Sequence, residues 1–254
     1  MSFRSLGRFV LTLAVCCLLF ATPSSAAEWG NLTGRFVLSG AAPTPAKLNI
    51  TKDTAFCGKH NLVDESLLVG SDGGVANIVL YVRDRGVAVH PDLEAELPAE
   101  VTLDNKNCRF EPHVAALWIG KQSLALLNSD PVGHNSNLQP IGDVGINPLL
   151  PAGGEIKHAF NRKQNIPVPV SCNIHPWMTA YVLPRDNPYT AVTAADGTFK
   201  LEKLPAGELE FQAWHEKSGY VATGDWERGR FTMTIQPGEN DLGVIKLDLK
   251  LFQK

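Results

Sequence analysis

The chain has 254 residues, with 23 Lys and Arg against 26 Asp and Glu, and its formal net charge is −3 when the histidines are neutral. A mildly acidic protein has no general electrostatic attraction to nucleic acid, so we expect no nucleic-acid partner. The 17 prolines and 22 glycines are typical of a fold with many turns.

The first 27 residues have the pattern of a cleaved export signal. Arg4 and Arg8 form a basic start, an apolar run covers 9–21, and the small residues of 24–27 offer a cleavage site. The apolar run of ~13 residues is shorter than the ~20 that a membrane-spanning helix needs, which disfavours the alternative of an uncleaved membrane anchor. We therefore predict that 1–27 is a signal peptide and that the mature chain, with no predicted membrane span, is periplasmic or secreted.

Strand signals dominate the rest of the chain. Short segments rich in β-branched and apolar residues predict strands at 34–38, 75–82, 123–127, 166–170, 199–201, 209–214 and 231–235. Turn signals such as Asp196-Gly197 and Pro237-Gly238 separate them, and the best helix candidate is only 92–97. The pattern predicts an all-β fold of the sandwich class.

One short loop combines side chains that bind soft metals. It carries a thiol at Cys172, an imidazole at His175 and a thioether at Met178, and a second imidazole, His134, lies upstream. Two histidines, one cysteine and a weakly bound methionine are the ligand set of a mononuclear blue-copper site. We therefore predict that one copper ion binds to His134, Cys172, His175 and Met178 and cycles between Cu(I) and Cu(II). Pro176 is expected to stiffen this loop and so to limit its movement between the two redox states.

Three cysteines follow the predicted signal peptide: Cys57, Cys108 and Cys172. Because thiols tend to pair in an oxidising compartment, Cys57 and Cys108 are candidates for a disulfide, which leaves Cys172 for the metal. Two alternatives stay open. Cys172 pairs with one of the other cysteines, or Cys57 and Cys108 form a separate metal site with His60 and His113.

Part of the chain resembles the cupredoxin family. The resemblance is carried by 101–105, Phe110, Pro112, Val114, Gly120, Asn128, Asp130, His134 and Asn135. The loop 172–178 is similar to the short ligand loop of amicyanin-like cupredoxins, and the 37 residues of 135–171 suit the family's connection between ligand loops.

The cupredoxin resemblance implies a Greek-key β-sandwich or barrel that transfers electrons. It implies that Asn135 ties the two ligand loops together. It also implies that His175 lies at an exposed apolar end of the barrel, where electrons enter or leave, and that Trp177 belongs to the same patch.

A second resemblance lies near the C-terminus. The segments Asp196-Gly197-Thr198-Phe199 and Leu204-Pro205-Ala206-Gly207 are similar to the second half of a carboxypeptidase-regulatory or transthyretin-like β-sandwich. We therefore predict an N-terminal β segment at 28–74 that can pack with the C-terminal domain, a cupredoxin domain at 75–186, and a small second sandwich at 187–254.

These features predict an exported blue-copper electron-transfer protein that is not an enzyme and whose partners are other redox proteins. One alternative is a periplasmic copper carrier that uses the same ligands. Another is a structural β-sandwich adaptor in which the copper loop is vestigial.

Overall fold

The computed structural model of the protein describes residues 28–253, so the predicted signal peptide at 1–27 lies outside the described residues. In chain order the strands are β1 (Trp29–Ser39), β2 (Val79–Val82), β3 (Glu100–Lys106), β4 (Arg109–Glu111), β5 (Val114–Trp118), β6 (Ser123–Asn128), β7 (His134–Asn135), β8 (Asn137–Leu138), β9 (Leu149–Leu150), β10 (Glu155–His158), β11 (Val168–Ser171), β12 (Thr179–Arg185), β13 (Thr190–Val192), β14 (Thr198–Pro205), β15 (Gly207–His215), β16 (Gly219–Tyr220), β17 (Arg230–Ile235) and β18 (Gly238–Asp248). The helical elements of the described chain are α1 (Thr54–Cys57), α2 (Leu93–Glu96) and a 3₁₀ turn (Leu249–Phe252). The all-β prediction is confirmed.

Two four-stranded sheets form what we call the central sandwich, with strand orders β10-β6-β3-β4 and β5-β12-β11-β8. Successive side chains of a strand point to opposite faces, so the apolar residues of each strand collect on its inner face. The buried core between the two sheets includes Leu103, Phe110, Leu126, Val170 and Val182. The predicted ligand loop connects β11 to β12 at one end of this sandwich.

The strands from both ends of the described chain form what we call the terminal sandwich. One sheet has the order β14-β1-β18, and the other has the order β13-β2-β15-β16 with β17 also paired to β15. The predicted turn before β14 requires a glycine, because Gly197 has a φ of +79° and a Cβ there would lie 2.1 Å from the Phe36 carbonyl oxygen. Core residues of this sandwich include Phe36, Leu80, Phe199, Phe211 and Leu247.

Strand β2 pairs with β13 and β15, and not with a strand of the central sandwich. Sheet pairing therefore places this part of the predicted domain 75–186 in the terminal sandwich. The reason is that β2 is buried on both faces: Leu80 and Val82 enter the terminal core, while Val79 and Tyr81 face the central sandwich.

The contact between the two sandwiches is mostly apolar but includes one buried guanidinium. Arg185, at the end of β12, is 2% exposed. It donates to the carbonyl of Gln164 at 2.8 Å and to that of Val82 at 3.1 Å, and it lies 4.5 Å from the centroid of the Tyr81 ring. Arg185 therefore links the strand that follows the ligand loop to β2.

The segment 48–62, which we call the N-terminal cap, packs against the central sandwich. Its side chains Leu48, Cys57 and Leu62 form a small apolar cluster with Cys108 and Trp177. Among residues 28–253, no helix is long and apolar enough to cross a membrane.

Candidate metal centre

The ligand loop 172–178 closes a tight connection between β11 and β12. The last paired residues of these strands are Ser171 and Thr179, and the Cys172 N–H then donates to the Met178 carbonyl at 3.2 Å. Within the loop, the Met178 N–H donates to the His175 carbonyl at 2.9 Å, and the His175 N–H points to Cys172 Sγ at 3.4 Å. These bonds hold Cys172, His175 and Met178 in a fixed relation to the strands.

Asn135 joins the strand that carries His134 to the ligand loop. His134 pairs with Leu150 in the short β7–β9 ladder, which fixes the backbone of both His134 and Asn135. The Asn135 Oδ1 atom accepts from the backbone N–H of Asn173 at 2.8 Å and from that of Ile174 at 3.3 Å. One side chain therefore sets the distance between the two segments that hold the candidate ligands.

Three candidate donor atoms converge in the interior. Cys172 Sγ lies 3.9 Å from His134 Nδ1 and 3.7 Å from His175 Nδ1. Each of the three residues offers one ligand atom within 4.8 Å of those of the other two, and their side chains are buried. The structure thus brings His134, Cys172 and His175 together across 41 residues of sequence.

Each imidazole is held on its other nitrogen by a carboxylate. His134 Nε2 lies 3.0 Å from Asp130 Oδ2, and His175 Nε2 lies 2.8 Å from Asp53 Oδ2. A carboxylate partner favours the tautomer with a proton on Nε2, which leaves the Nδ1 lone pair free to bind a metal. Both rings therefore present Nδ1 to the cysteine sulfur.

The pKa values of the three candidate donors are all shifted from their ordinary values. Burial alone raises the pKa of the Cys172 thiol, but hydrogen bonds from His134 and from backbone N–H groups outweigh it, so the pKa is lowered. Burial lowers the pKa of His134, but the hydrogen bond to Asp130 and the nearby Cys172 sulfur together raise it to about 9. For His175, burial prevails over the attraction of Asp53 and the pKa is lowered. The two opposite shifts stabilise the charged forms of Cys172 and His134, and a metal ion that binds both side chains would displace protons from them.

The spacing of the three donors fits a first-row transition metal. With bonds of ~2.3 Å to sulfur and ~2.0 Å to nitrogen, as zinc makes, a planar trigonal arrangement separates sulfur from each nitrogen by ~3.7 Å. The separations from Cys172 Sγ to the two Nδ1 atoms are 3.9 and 3.7 Å. A soft thiolate with two imidazoles is the donor set that copper takes in trigonal sites.

The other predicted residues of the loop lie in different surroundings. Met178 is 1% exposed and belongs to the same buried cluster as Cys172. Pro176 is exposed on the outer side of the loop. Trp177 is half-buried and donates from Nε1 to the Cys108 carbonyl at 3.1 Å.

The expectation that His175 lies at an exposed apolar end of the sandwich is wrong. Its side chain is fully buried, because the N-terminal cap covers it and Asp53 bonds to its outer nitrogen. Trp177 does lie beside His175, with ring centroids 5.2 Å apart, but it is half-buried against the cap and the Cys57–Cys108 pair. The simple cupredoxin pattern could not predict this, because the cap precedes the region of resemblance.

The predicted disulfide between Cys57 and Cys108 is present, with its Cα atoms 5.5 Å apart. Of the cysteines in residues 28–253, Cys172 is the free one, so it does not pair with either of the others. The alternative metal site of Cys57 and Cys108 with His60 and His113 is wrong, because both sulfurs are used in the disulfide. His113 instead pairs with Glu216 at the boundary between the sandwiches.

Sequence reasoning missed the roles of two acidic residues. Asp130 contributed to the family resemblance, yet it had no assigned function. Its carboxylate accepts from the backbone N–H of Asn107 at 2.6 Å and of Cys108 at 2.8 Å, in addition to contacting His134. No motif surrounds Asp53 in the sequence. The one feature that could have pointed to its role is its position four residues before Cys57, because the predicted disulfide brings that segment close to Cys108.

No protein-family model and no curated protein matches this chain. Similar solved structures include a copper-containing nitrite reductase (NirK) from Thermus scotoductus SA-01, with a TM-score of 0.33 and 20% identity over 39% of this chain and 27% of that chain. A purple cupredoxin from Nitrosopumilus maritimus has a TM-score of 0.29 and 22% identity over 35% of this chain and 100% of its own.

A mutant of amicyanin in the Cu(I) form has a TM-score of 0.31 and 14% identity over 42% of this chain and 98% of its own. The present chain therefore spans about a quarter of the nitrite reductase. At TM-scores this low, we draw no conclusion from these similarities, and the case for a metal rests on the donor atoms described above.

Proposed function

We propose that this chain is an exported mononuclear copper protein that transfers single electrons. In this proposal His134, Cys172 and His175 would hold the ion, and Met178 would be a fourth, weakly bound ligand. The observation that carries the proposal is the convergence of two Nδ1 atoms on the Cys172 sulfur, at 3.9 and 3.7 Å, with both Nε2 atoms held by carboxylates.

Bound copper would supply one-electron chemistry, since it cycles between Cu(I) and Cu(II). The protein's own contribution is to keep the donors in nearly the same place in both states. The hydrogen bonds of Asn135 to the loop, the closed 172–178 backbone and the burial of all three donors limit movement of the site. A site that does not rearrange suits electron transfer better than a carrier that must release its ion.

In this proposal the protein makes and breaks no covalent bonds of a substrate. Four protein ligands would leave no open coordination position, whereas a catalytic metal site keeps one for water or substrate. We therefore propose an electron carrier that works with other redox proteins outside the cytoplasm, in keeping with the signal peptide predicted at 1–27.

The direct test is a visible absorption spectrum of the copper-loaded mature chain, residues 28–254. We expect an intense charge-transfer band in the wild type, and we expect Cys172→Ser to lose it because the thiolate that shares charge with Cu(II) is gone. The neighbouring Ser171→Ala variant, which retains every proposed ligand, should keep the band.

Two results would reject this function. Copper that binds only as colourless Cu(I) and cannot be reversibly oxidised would favour a carrier. A Cys172→Ser variant with the metal content of the wild type would mean that the loop does not hold copper.

A further inference from the structure

Asp53 reaches His175 from outside the central sandwich. Its Oδ2 atom lies 2.8 Å from His175 Nε2, while its own side chain is 42% exposed and that of His175 is 0% exposed. Asp53 therefore lies between solvent and the outer edge of this candidate ligand. The contact spans 122 residues of sequence, so it is a product of the tertiary fold.

The backbone of Asp53 differs from that of an ordinary helix-capping residue. Asp53 is the N-cap of α1, where aspartate normally accepts a hydrogen bond from the first turn of the helix. Here the side chain makes no capping bond, and the residue has the left-handed values φ +44° and ψ +41°. Such a conformation costs free energy for a residue other than glycine and persists where surrounding contacts hold it. The contact that takes the place of the capping bond is the one to His175.

The N-terminal cap that carries Asp53 is fixed to the metal end of the sandwich at independent points. Cys57, at the end of α1, is joined by the disulfide to Cys108. Cys108 in turn donates its N–H to Asp130 and accepts from Trp177 through its carbonyl. Asp53 is therefore presented to His175 by a segment that is anchored on both ligand-bearing parts of the site.

We propose that Asp53 is a positioning residue of the metal site, which orients His175 and adds a second carboxylate charge beside the ion. This inference rests on the proposed function. The carboxylate holds a proton on Nε2 and thereby directs the Nδ1 lone pair toward the ion. Its negative charge stabilises Cu(II) more than Cu(I), because the attraction grows with the charge of the ion.

The test uses two substitutions that both tolerate the left-handed backbone. Asp53→Asn keeps an oxygen acceptor for Nε2–H but removes the charge, and Asp53→Gly removes both without straining the φ of +44°. The matched control is Asp225→Asn, which removes an exposed carboxylate from a loop of the terminal sandwich.

The first measurement is the reduction potential of the copper-loaded mature chain. We expect both Asp53 variants to shift the Cu(II)/Cu(I) equilibrium three- to tenfold toward Cu(I), which is a rise of ~30–60 mV at ~59 mV per tenfold for one electron. The Asp225→Asn control should stay within twofold of the wild type.

The second measurement needs no metal. In the ¹⁵N-labelled metal-free chain, the His175 Nε2 proton should exchange slowly with water in the wild type and in Asp53→Asn, and rapidly in Asp53→Gly. A purely structural effect of the cap would not separate the two variants in this way.

Failure of this inference can be distinguished from failure of the proposed function. If the wild type takes up no copper, the proposed function fails and this inference fails with it. If the wild type shows the charge-transfer band but both Asp53 variants match the Asp225→Asn control in potential, this inference alone is overturned. Equal exchange of the His175 proton in wild type and Asp53→Gly would also overturn it.

Discussion

At the scale of single residues, the candidate site depends on a few side chains that each make several contacts. Asn135 accepts from two backbone N–H groups of the ligand loop and donates from Nδ2 to Asn147 at 2.6 Å. Met178 lies at the other end of that loop, and its backbone bonds to both Cys172 and His175. The two residues thus act on the same loop, one from the neighbouring strand and one from within.

The role of weakly bound ligand proposed for Met178 can be tested by replacing its sulfur. Met178→Gln should retain copper, because the thiolate and both imidazoles remain, and it should lower the potential because an amide oxygen favours Cu(II) over Cu(I). We expect a shift of at least tenfold in the Cu(II)/Cu(I) equilibrium, or ~59 mV, measured by redox titration. The control is Met233→Gln in β17 of the terminal sandwich. Complete loss of copper, or a potential equal to that of the control, would contradict the role of Met178 as a weakly bound ligand.

At the scale of elements, the N-terminal cap is what distinguishes this chain from a simple two-sheet metal site. The strands of the central sandwich place the candidate ligands, whereas the cap closes the side on which His175 would otherwise meet solvent. The cap has little regular structure of its own, since α1 is only four residues long. Its position therefore depends on the disulfide, on its apolar cluster with Trp177 and on the bond from Asp53.

Removing the disulfide should weaken both the fold and the closure of the site. The bond joins residues 51 apart in sequence, and loss of a cross-link over a loop of this length costs up to ~4 kcal/mol through the entropy of the unfolded chain. We expect Cys57→Ala/Cys108→Ala to lower the free energy of unfolding by ~2–4 kcal/mol in urea denaturation. The same variant should show faster exchange of the His175 Nε2 proton than the wild type.

A loss of stability below ~1 kcal/mol would mean that the apolar contacts of the cap hold it without the cross-link. If the His175 Nε2 proton exchanged as slowly in the double variant as in the wild type, the conclusion would be the same. The denaturant slope of each variant should be compared with that of the wild type, because a change in the slope would report an altered unfolded state.

At the scale of the whole molecule, polar and ionisable groups are buried where the two sandwiches meet. His113, which precedes β5, pairs with Glu216, which follows β15. His215 comes directly before that glutamate, and its ring packs in the terminal sandwich against Phe252, with ring centroids 5.1 Å apart. Its side chain is 1% exposed, and its Nδ1 accepts from the backbone N–H of Lys217 at 3.2 Å. Burial above all, together with the nearby charges of His113 and Lys217, lowers the pKa of His215 to about 4.

This lowered pKa predicts a pH-dependent stability for the whole chain. Unfolded histidine has a pKa of ~6.5, so between that pH and about 4 the unfolded chain binds a proton that folded His215 does not. The stability contribution of neutral His215 is complete above the unfolded pKa and is lost as the pH falls toward the folded one. The free energy of unfolding should therefore decrease by up to ~1.4 kcal/mol per pH unit in this window.

The comparison that isolates this effect is wild type against His215→Gln in urea denaturation from pH 8 to pH 4. The variant should show a shallower slope below pH ~6.5, while the two slopes should agree above that value because the histidine is neutral in both states there. Equal slopes across the whole range would contradict a buried, neutral His215.

Much of this protein is determined locally, and local features are what a sequence expresses most directly. Three proposed ligands fall within seven consecutive residues, each strand has its own apolar pattern, and an odd number of cysteines in a predicted exported chain points to one that is not paired. The predicted strands, the disulfide and the loop all depend on residues near one another or on residue type alone.

Only the tertiary structure decided how the site is enclosed. Asp53 contacts His175 across 122 residues, and β2 joins the terminal sandwich because its alternate side chains enter two different cores. No local pattern encodes either fact, since each depends on which surfaces meet after the strands have paired. The same packing buries His175, which a pattern limited to the ligand loops places at an exposed end.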